Sequence, residues 1–178
     1  MAKAKKKAAA RGAVSSQKPQ SSARRANARP SRAPDAIALL KADHREAQKL
    51  FEQFESSRSP DKKKALAIRV CKALTVHTTI EEEIFYPAFL EATKDKAMHH
   101  EAEVEHDGAR KLIAEIQASG PDDDYYDAKV HVLSEMIKHH VKEEEQRDGL
   151  FAEARQADMD LVVLGQQLAE RKAQLMDA

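Results

Sequence analysis

The feature that most restricts the fold of this chain is a repeated spacing of apolar residues. Four successive segments after residue 34 place large apolar side chains at intervals of three and four residues, on one face of a helix. Because segments rich in Ala, Leu and charge favour amphipathic helices over strands, the sequence predicts an all-α protein. The apolar positions are Ile37, Leu40, Ala47, Phe51 and Phe54; Leu66, Val70, Leu74 and Ile84; Ile113 and Ile116; and Tyr126, Val130, Leu133 and Ile137.

Capping and turn residues mark the ends of these segments. Asp35 is suited to cap the first helix, and Ser59-Pro60 is a favourable start for the second. Pro87 is expected to bend or end the second helix, and Gly120-Pro121 to terminate the third. The predicted organisation is a tail at residues 1–34, a four-helix bundle domain at residues 35–155, and an additional C-terminal amphipathic helix within residues 156–178.

The N-terminal segment differs in charge from the rest of the chain. Residues 1–34 contain ten Lys or Arg and no acidic residue, whereas the remainder contains 20 basic and 30 acidic side chains. With almost no large apolar side chain, residues 1–34 cannot offset the entropy of ordering, so a disordered basic tail is predicted. Such a tail can contact nucleic acid phosphates non-specifically. An organellar transit peptide and a solubilising tail without a partner are the alternatives.

Composition also excludes several classes of protein. Cys71 is the only cysteine, so a disulfide framework and a cysteine-based zinc cage are excluded and a reducing, cytoplasmic setting is expected. No apolar run approaches the ~20 residues of a membrane-spanning helix, so no membrane contact is expected. The sequence also lacks a phosphate-binding glycine loop, a nucleophile elbow and a His-Glu-x-x-His helix.

Ionisable residues interrupt the apolar stripes at six positions. Burial of six such groups is very costly unless they neutralise one another or bind metal. Imidazole together with carboxylate suits iron, manganese, zinc or copper. The candidate metal ligands are His44, His77, Glu81, His106, His140 and Glu144.

Four of the six candidates form a repeated motif. His77 with Glu81, and His140 with Glu144, are His-x3-Glu pairs whose i, i+4 spacing points both side chains toward one spot. Each pair can give one nitrogen to a metal and a carboxylate that bridges to a second metal. With the histidines of the first and third helices, two metals would each receive two imidazoles, with positions left for an exogenous ligand.

A resemblance is carried in order by four blocks over about residues 35–155. They are Lys41-Ala42-Asp43-His44-Arg45-Glu46, His77-Thr78-Thr79-Ile80-Glu81-Glu82-Glu83-Ile84-Phe85-Tyr86-Pro87, Glu105-His106-Asp107 and His139-His140-Val141-Lys142-Glu143-Glu144-Glu145. Together they resemble the hemerythrin-like, HHE cation-binding domain. The resemblance implies an antiparallel four-helix bundle with a non-haem di-iron centre, bridged by two carboxylates and an oxo or hydroxo group. It also implies that the six candidates hold two iron ions, with zinc or manganese less favoured.

The sequence departs from the oxygen-carrying members of that family. They have a fifth histidine four residues before the third-helix ligand, where this chain has Ala102, and His99 and Glu103 lie near the same face as alternative ligands. They also place the second bridging acid one residue beyond Glu144, where Glu145 stands. The choice between these two glutamates stays open from sequence alone, and a simple oxygen-storage role is less favoured.

Three other side chains have two interpretations each. Cys71 is interpreted as a small buried residue, with a redox-sensing thiol as the alternative. Tyr86 and Tyr126 are expected to pack as aromatic residues, with hydrogen bonding near a metal as the alternative.

The favoured function is binding or sensing of dioxygen, nitric oxide or peroxide at the di-iron centre. One alternative is an oxidoreductase that consumes peroxide or nitric oxide, or an iron donor for repair. The other is a metal-storage or nucleoid-associated protein that uses the basic tail. The C-terminal helix is expected either to cover the bundle or to pair with another copy.

Overall fold

A computed structural model describes residues 34–178, and the predictions for residues 1–33 lie outside this part of the chain. All regular elements within residues 34–178 are helical, as predicted. They are α1 (Ala36–Ser56), α2 (Pro60–Ile80), a π-helical segment (Glu81–Phe85), α3 (Tyr86–Thr93), α4 (Lys96–Gln117), α5 (Tyr126–Glu145), α6 (Leu150–Gln156) and α7 (Leu161–Asp177). None of these helices combines the length and apolar character that a membrane span requires.

The predicted helix starts are confirmed. The Asp35 carboxylate accepts a 2.8 Å hydrogen bond from the Ala38 amide at the start of α1. At the start of α2 the Ser59 hydroxyl accepts from the Lys62 amide, and Pro60 occupies the first turn. Side-chain caps of this kind stabilise a helix by about 1 kcal/mol each, because they satisfy amides that have no partner within the helix.

The helices α1, α2, α4 and α5 form an antiparallel four-helix bundle. Each helix packs against two others, in the cyclic order α1, α2, α4, α5 and back to α1. Two clusters of buried apolar side chains fill the bundle. One contains Phe54, Leu66 and Ile116, and the other contains Ile37, Ile80 and Phe89. The candidate ligands belong to neither cluster. Along α1, for example, His44 lies between Leu40 of one cluster and Ala47 of the other.

The helix that begins as α2 does not end at Pro87. It continues through the π-helical segment into α3, which contains Pro87. The Tyr86 amide donates to the Glu81 carbonyl, which is the i to i+5 bond of a π turn. The path ends at Lys94, which has a φ of 63°. Pro87 is accommodated because it lies in the first turn of α3, where no α-helical hydrogen bond is required of its nitrogen.

The C-terminal helix α7 covers the bundle, which was one of its two expected roles. It packs against α1, α2 and the π-helical segment, and its Leu168 is fully buried. Gly165 makes a close backbone approach, because a Cβ there would lie 2.5 Å from the Pro34 carbonyl oxygen. Two ion pairs add to this contact: Arg171 with Glu83, and Lys172 with Asp43.

Candidate metal centre

The structure brings all six predicted residues together. One group contains His44, His77, Glu81 and Glu144, and a second contains Glu81, His106 and His140. Within each group the candidate ligand atoms all lie within 4.8 Å of one another. All six side chains are buried, so water cannot compensate them fully.

The histidines form two pairs through their Nε2 atoms. The two Nε2 atoms are 3.1 Å apart in His44 and His77, and 3.3 Å apart in His106 and His140. Two ligand atoms on one ion, with bonds of ~2.0–2.2 Å, are about 3.0–3.6 Å apart. Each pair therefore has the spacing of two imidazoles that bind the same cation.

The two buried carboxylates connect these pairs. Glu81 Oε2 lies 3.3 Å from His77 Nε2 and 3.4 Å from His106 Nε2. Glu144 Oε2 lies 3.3 Å from His44 Nε2 and 3.6 Å from His140 Nε2. Each carboxylate thus contacts one histidine of each pair, which is the arrangement of a carboxylate that bridges two cations.

A second set of four carboxylates faces the Nδ1 atoms of the histidines. We call these Asp43, Glu82, Glu105 and Glu145 the outer carboxylates. Three of them lie 2.8 Å from an Nδ1 atom, and Asp43 lies 3.6 Å from the Nδ1 of His77. An Nδ1–H that points at a carboxylate leaves the Nε2 lone pair free to bind a metal.

The outer carboxylates form a closed cycle around the bundle. Each outer carboxylate lies on one helix of the bundle and pairs with the histidine of the next helix, in the order α1, α2, α4, α5 and back to α1. Glu82 is counted with α2, because the π-helical segment continues that helix. The four pairs are Asp43 with His77, Glu82 with His106, Glu105 with His140, and Glu145 with His44. Sequence reasoning did not identify these partners. The available signal is that each outer carboxylate immediately precedes or follows a candidate ligand in the sequence.

Tyr86 contributes a hydroxyl group to the same cluster. It donates a 3.1 Å hydrogen bond to Glu144 Oε1 and lies 3.3 Å from His106 Nε2. The preceding π turn explains this position, because it places Glu81 and Tyr86 one turn apart on the same side of the helix. Tyr86 packs among apolar side chains, as expected, and its hydroxyl also forms a hydrogen bond, which was the alternative. Tyr126 packs near Phe54 in an apolar cluster, as expected.

The alternative ligands lie outside both groups. Glu145 is placed behind the Nδ1 of His44, and Ala102 is buried without a ligating atom. His99 and Glu103 form a separate, partly exposed cluster with His100. Of these two glutamates, Glu144 is therefore the one that lies among the buried candidate ligands.

Proximity shifts the pKa values of the two buried carboxyl groups, Glu81 and Glu144, in opposite directions. Burial and the negative charge of Glu144 raise the pKa of Glu81 well above its ordinary value. Burial also opposes ionisation of Glu144, but the nearby His140 and His44 outweigh it and lower the pKa of that carboxyl. Of the two buried carboxyl groups, Glu81 is therefore the one that is harder to ionise.

Two of the histidines, His44 and His77, also have pKa values shifted in opposite directions. Burial alone would lower the pKa of His44, but the carboxylates of Glu144 and Glu145 outweigh it and raise the pKa to about 8. Burial dominates at His77 and lowers its pKa to about 4, despite the opposing effect of Asp43. His44 therefore has to lose a proton before its Nε2 can bind a metal, whereas His77 is already neutral at pH 7.

The residues present fit a pair of transition-metal ions. Glu81 Oε1 and Glu144 Oε2 are buried without a hydrogen-bond partner among the described residues. A buried polar atom without a partner costs about 1–3 kcal/mol, and a bound cation would compensate both oxygens. Four imidazoles with two carboxylates form a donor set suited to iron, manganese or zinc.

The single buried thiol does not take part in this site. Cys71 is fully buried in the apolar cluster with Phe54 and Leu66, and burial raises its pKa to about 11. Because the thiolate is the reactive form, this environment favours the interpretation of Cys71 as a packing residue.

The fold and the site define a helical-bundle protein with a buried His/carboxylate cation site. The family described as the hemerythrin HHE cation-binding domain matches residues 35–149, so the chain belongs to this family, as the sequence resemblance predicted. The crystal structure of a hemerythrin HHE cation-binding domain-containing protein from Mycobacterium kansasii is similar. It has a TM-score of 0.66 and 25% identity, over 80% of this chain and 87% of that chain.

A curated relative is longer than this chain. A protein named DNA nickase from Nostoc sp. is 28% identical over 117 residues, which cover 66% of this chain. The match covers 32% of the relative, so the two proteins share about a third of its length.

Proposed function

We propose that this domain holds a non-haem di-iron centre that binds or senses a small ligand: dioxygen, nitric oxide or peroxide. The observation that carries the proposal is the position of the two bridging carboxylates. Glu81 and Glu144 each lie between the two histidine pairs, at 3.3–3.6 Å from one imidazole of each pair. A single ion would need only one pair, so this symmetry supports two ions with shared carboxylates.

The outer carboxylates and Tyr86 would tune such a centre. Each outer carboxylate orients one imidazole, and the Tyr86 hydroxyl donates a hydrogen bond to the edge of the cluster. A bound pair of irons would be able to supply two electrons in one step, which suits the two-electron reduction of dioxygen or peroxide. The described residues supply the binding, orientation and proton donation around it.

A mainly apolar cavity leads to the imidazoles and favours a small neutral ligand. It contacts all four candidate histidines, and apolar side chains such as Ala47, Leu74 and Ile137 contribute to its wall. Lys172 and Met176 of α7 line the same cavity, so the C-terminal helix covers the approach to the centre. An apolar wall offers little compensation to a charged ligand, whereas dioxygen and nitric oxide enter without losing strong hydration.

The first experiment is to measure metal content together with the visible spectrum, under anaerobic conditions and then in air. We expect two irons per chain, with near-ultraviolet bands of a bridged centre that change when dioxygen, nitric oxide or peroxide is added. His77→Ala and His140→Ala should each lose at least one metal per chain. His131→Ala is the matched control, because this exposed histidine of α5 lies outside the cluster.

The outcomes separate the functions. Full metal occupancy in both histidine variants contradicts the ligand assignment, and zinc alone contradicts the redox proposal. Steady consumption of peroxide or nitric oxide with an added reductant indicates an oxidoreductase, whereas reversible spectral change without turnover indicates a binder or sensor.

A second candidate function is non-specific nucleic acid binding through residues 1–34. Two observations favour it: ten basic residues without an acid in this segment, and the name DNA nickase of the Nostoc relative. Binding should weaken steeply with salt, because neutralised phosphates release counterions. Deletion of residues 1–34 should abolish this binding, and DNA binding that survives the deletion contradicts the candidate.

A further inference from the structure

The sequence His139-His140-Val141-Lys142-Glu143-Glu144 contains two His-x3-Glu pairs in adjacent registers. His140 and Glu144 point into the bundle and belong to the proposed metal centre. His139 and Glu143 point outward: the His139 side chain is 61% exposed, and its Nε2 lies 3.1 Å from Glu143 Oε1. The proposed function leaves this second pair unused.

The outward pair shares a residue with the buried centre. Glu105 Oε2 lies 2.8 Å from Nδ1 of His140, and Glu105 Oε1 lies 3.5 Å from Nε2 of His139. Nε2 of His139 thus lies 3.1–3.5 Å from an oxygen of each glutamate, which suits ligands of one divalent cation with bonds of ~2.0–2.2 Å. The ligand atoms of all three residues lie within 4.8 Å of one another. The carboxylate of Glu105 thus contacts both the exposed His139 and the buried His140.

The other three outer carboxylates have a permanent cation at the corresponding place. Lys172 pairs with Asp43, Arg110 with Glu82, and Lys41 with Glu145. In residues 34–178, neither Lys nor Arg makes an ion pair with Glu105. Its neighbours are the two histidines. The other three outer carboxylates each face a Lys or Arg side chain. Glu105 forms the fourth corner of the cycle, and beside it lie the imidazole of His139 and the carboxylate of Glu143.

A pocket between α4, α5 and the start of α6 borders both this corner and the centre, and we call it the acidic passage. Glu101, Glu105 and Glu143 line it together with His140 and Glu144, and His139 lies beside it, outside its lining. Glu144 is only 2% exposed, and its Oε2 is buried without a hydrogen-bond partner among the described residues. An acidic passage raises the local concentration of cations, in contrast to the mainly apolar cavity on the α7 side.

We propose that Glu105, His139 and Glu143 form a weaker, exposed site for a divalent cation that delivers metal to the buried centre. The inference rests on the proposed metal centre and assigns two separate approaches to it. Cations reach it through the acidic passage at α4 and α5, and the neutral ligand through the cavity beneath α7. The cation is released from His139 and Glu143 toward Glu144, while Glu105 keeps its contact with His140.

The test uses the full-length metal-free protein and Co²⁺ as a spectroscopic probe under anaerobic conditions. Wild-type protein should take up two tight equivalents and a third, weaker one. The double variant His139→Ala, Glu143→Gln should lose the third equivalent, keep the two tight ones, and load them ~10-fold more slowly or worse. His131→Ala combined with Glu135→Gln is the matched control, since both residues are exposed on the same helix and lie outside the passage.

The outcomes are distinct. Slower loading of an unchanged pair of tight sites supports the proposal, and wild-type loading rates in the double variant overturn it, whether or not a third equivalent binds. Absence of the two tight equivalents in wild-type protein contradicts the proposed metal centre itself.

Discussion

Tyr86 donates a 3.1 Å hydrogen bond to Glu144 across the centre of the bundle, although the two residues are 58 positions apart in the sequence. Both side chains are buried, and the other carboxylate oxygen of Glu144 faces His44 and His140. The bond therefore holds one oxygen of this proposed bridging carboxylate, while its other oxygen faces His44 and His140.

The change Tyr86→Phe removes this hydrogen bond and leaves Glu144 Oε1 without its donor. We expect the metal-free protein to lose about 1–3 kcal/mol of unfolding free energy, because a buried charged acceptor is left unsatisfied. Denaturant unfolding measures the loss. Tyr126→Phe is the control, since Tyr126 packs in an apolar cluster and its hydroxyl donates no hydrogen bond within the described residues. Equal stability of the two variants would contradict the assigned role of Tyr86.

The change Glu82→Gln weakens the orientation of the His106 ring. We expect metal affinity to fall by about 10- to 100-fold, because partners of a ligating histidine fix its tautomer and raise its basicity. Competition with a chelator of known affinity measures the change. Glu135→Gln is the control, because Glu135 is an exposed residue that pairs with Lys138. Unchanged affinity in Glu82→Gln would show that the outer carboxylate does not act on the imidazole.

Metal affinity should rise with pH between about 6.5 and about 8. The folded-state pKa of His44 is raised to about 8, so below this value the cation has to displace a proton from the ring. The pKa of Glu81 is also raised, so its ionisation opposes metal binding at low pH in the same direction. Calorimetry in buffers of different ionisation enthalpy counts the protons released on binding. Binding without proton release near pH 7 would contradict the assignment of His44 as a ligand.

The same shift affects the stability of the metal-free protein with the opposite sign. Because the pKa of His44 is higher in the folded state than its ordinary value of 6.5, its contribution is fully present below about pH 6.5 and is lost as pH rises through about 8. Unfolding free energies measured across this range should show the decrease. Replacement of Glu145 by Gln should reduce it, because Glu145 is one of the two carboxylates that raise the pKa.

The change Gly165→Ala should displace α7 from the bundle. Its Cβ would meet backbone atoms of Pro34, Asp35 and Ala36 at 2.5–2.8 Å, so the helix itself has to move. We expect a loss of about 1–3 kcal/mol, typical of overpacking, and faster binding of nitric oxide through the uncovered cavity. Gly120→Ala is the control, because nothing lies within 4 Å of its added Cβ. Wild-type stability and ligand kinetics in Gly165→Ala would contradict the covering role of α7.

Much of the fold follows from local patterns in the sequence. Capping by Asp35 and Ser59 depends only on residues within one helical turn, so it can be predicted from the sequence. The spacing of the apolar residues likewise defines the buried face of each helix. The six inward ionisable residues could be selected for the same reason, since an i, i+4 spacing determines which side chains share a face. Their roles as ligands stay predictions until metal is measured.

The remaining features depend on neighbours that helical spacing does not identify. The π turn at Glu81–Phe85, which precedes Tyr86, was not predicted, because sequence reasoning expected only Pro87 to affect the helix there. Glu105 could be placed beside His106 from sequence, but its contact with His140 requires knowing that α5 packs next to α4.

The sequence by itself thus determined which face of each helix is buried and which ionisable groups that face contains, because both depend on the geometry of one helix. Only the tertiary structure decided which side chains meet across helices: the cycle of outer carboxylates, the hydroxyl of Tyr86, and the cover provided by α7. These contacts join residues as far apart as Asp43 and Lys172, and their pairing follows from the packing order of the helices and from nothing local to either residue.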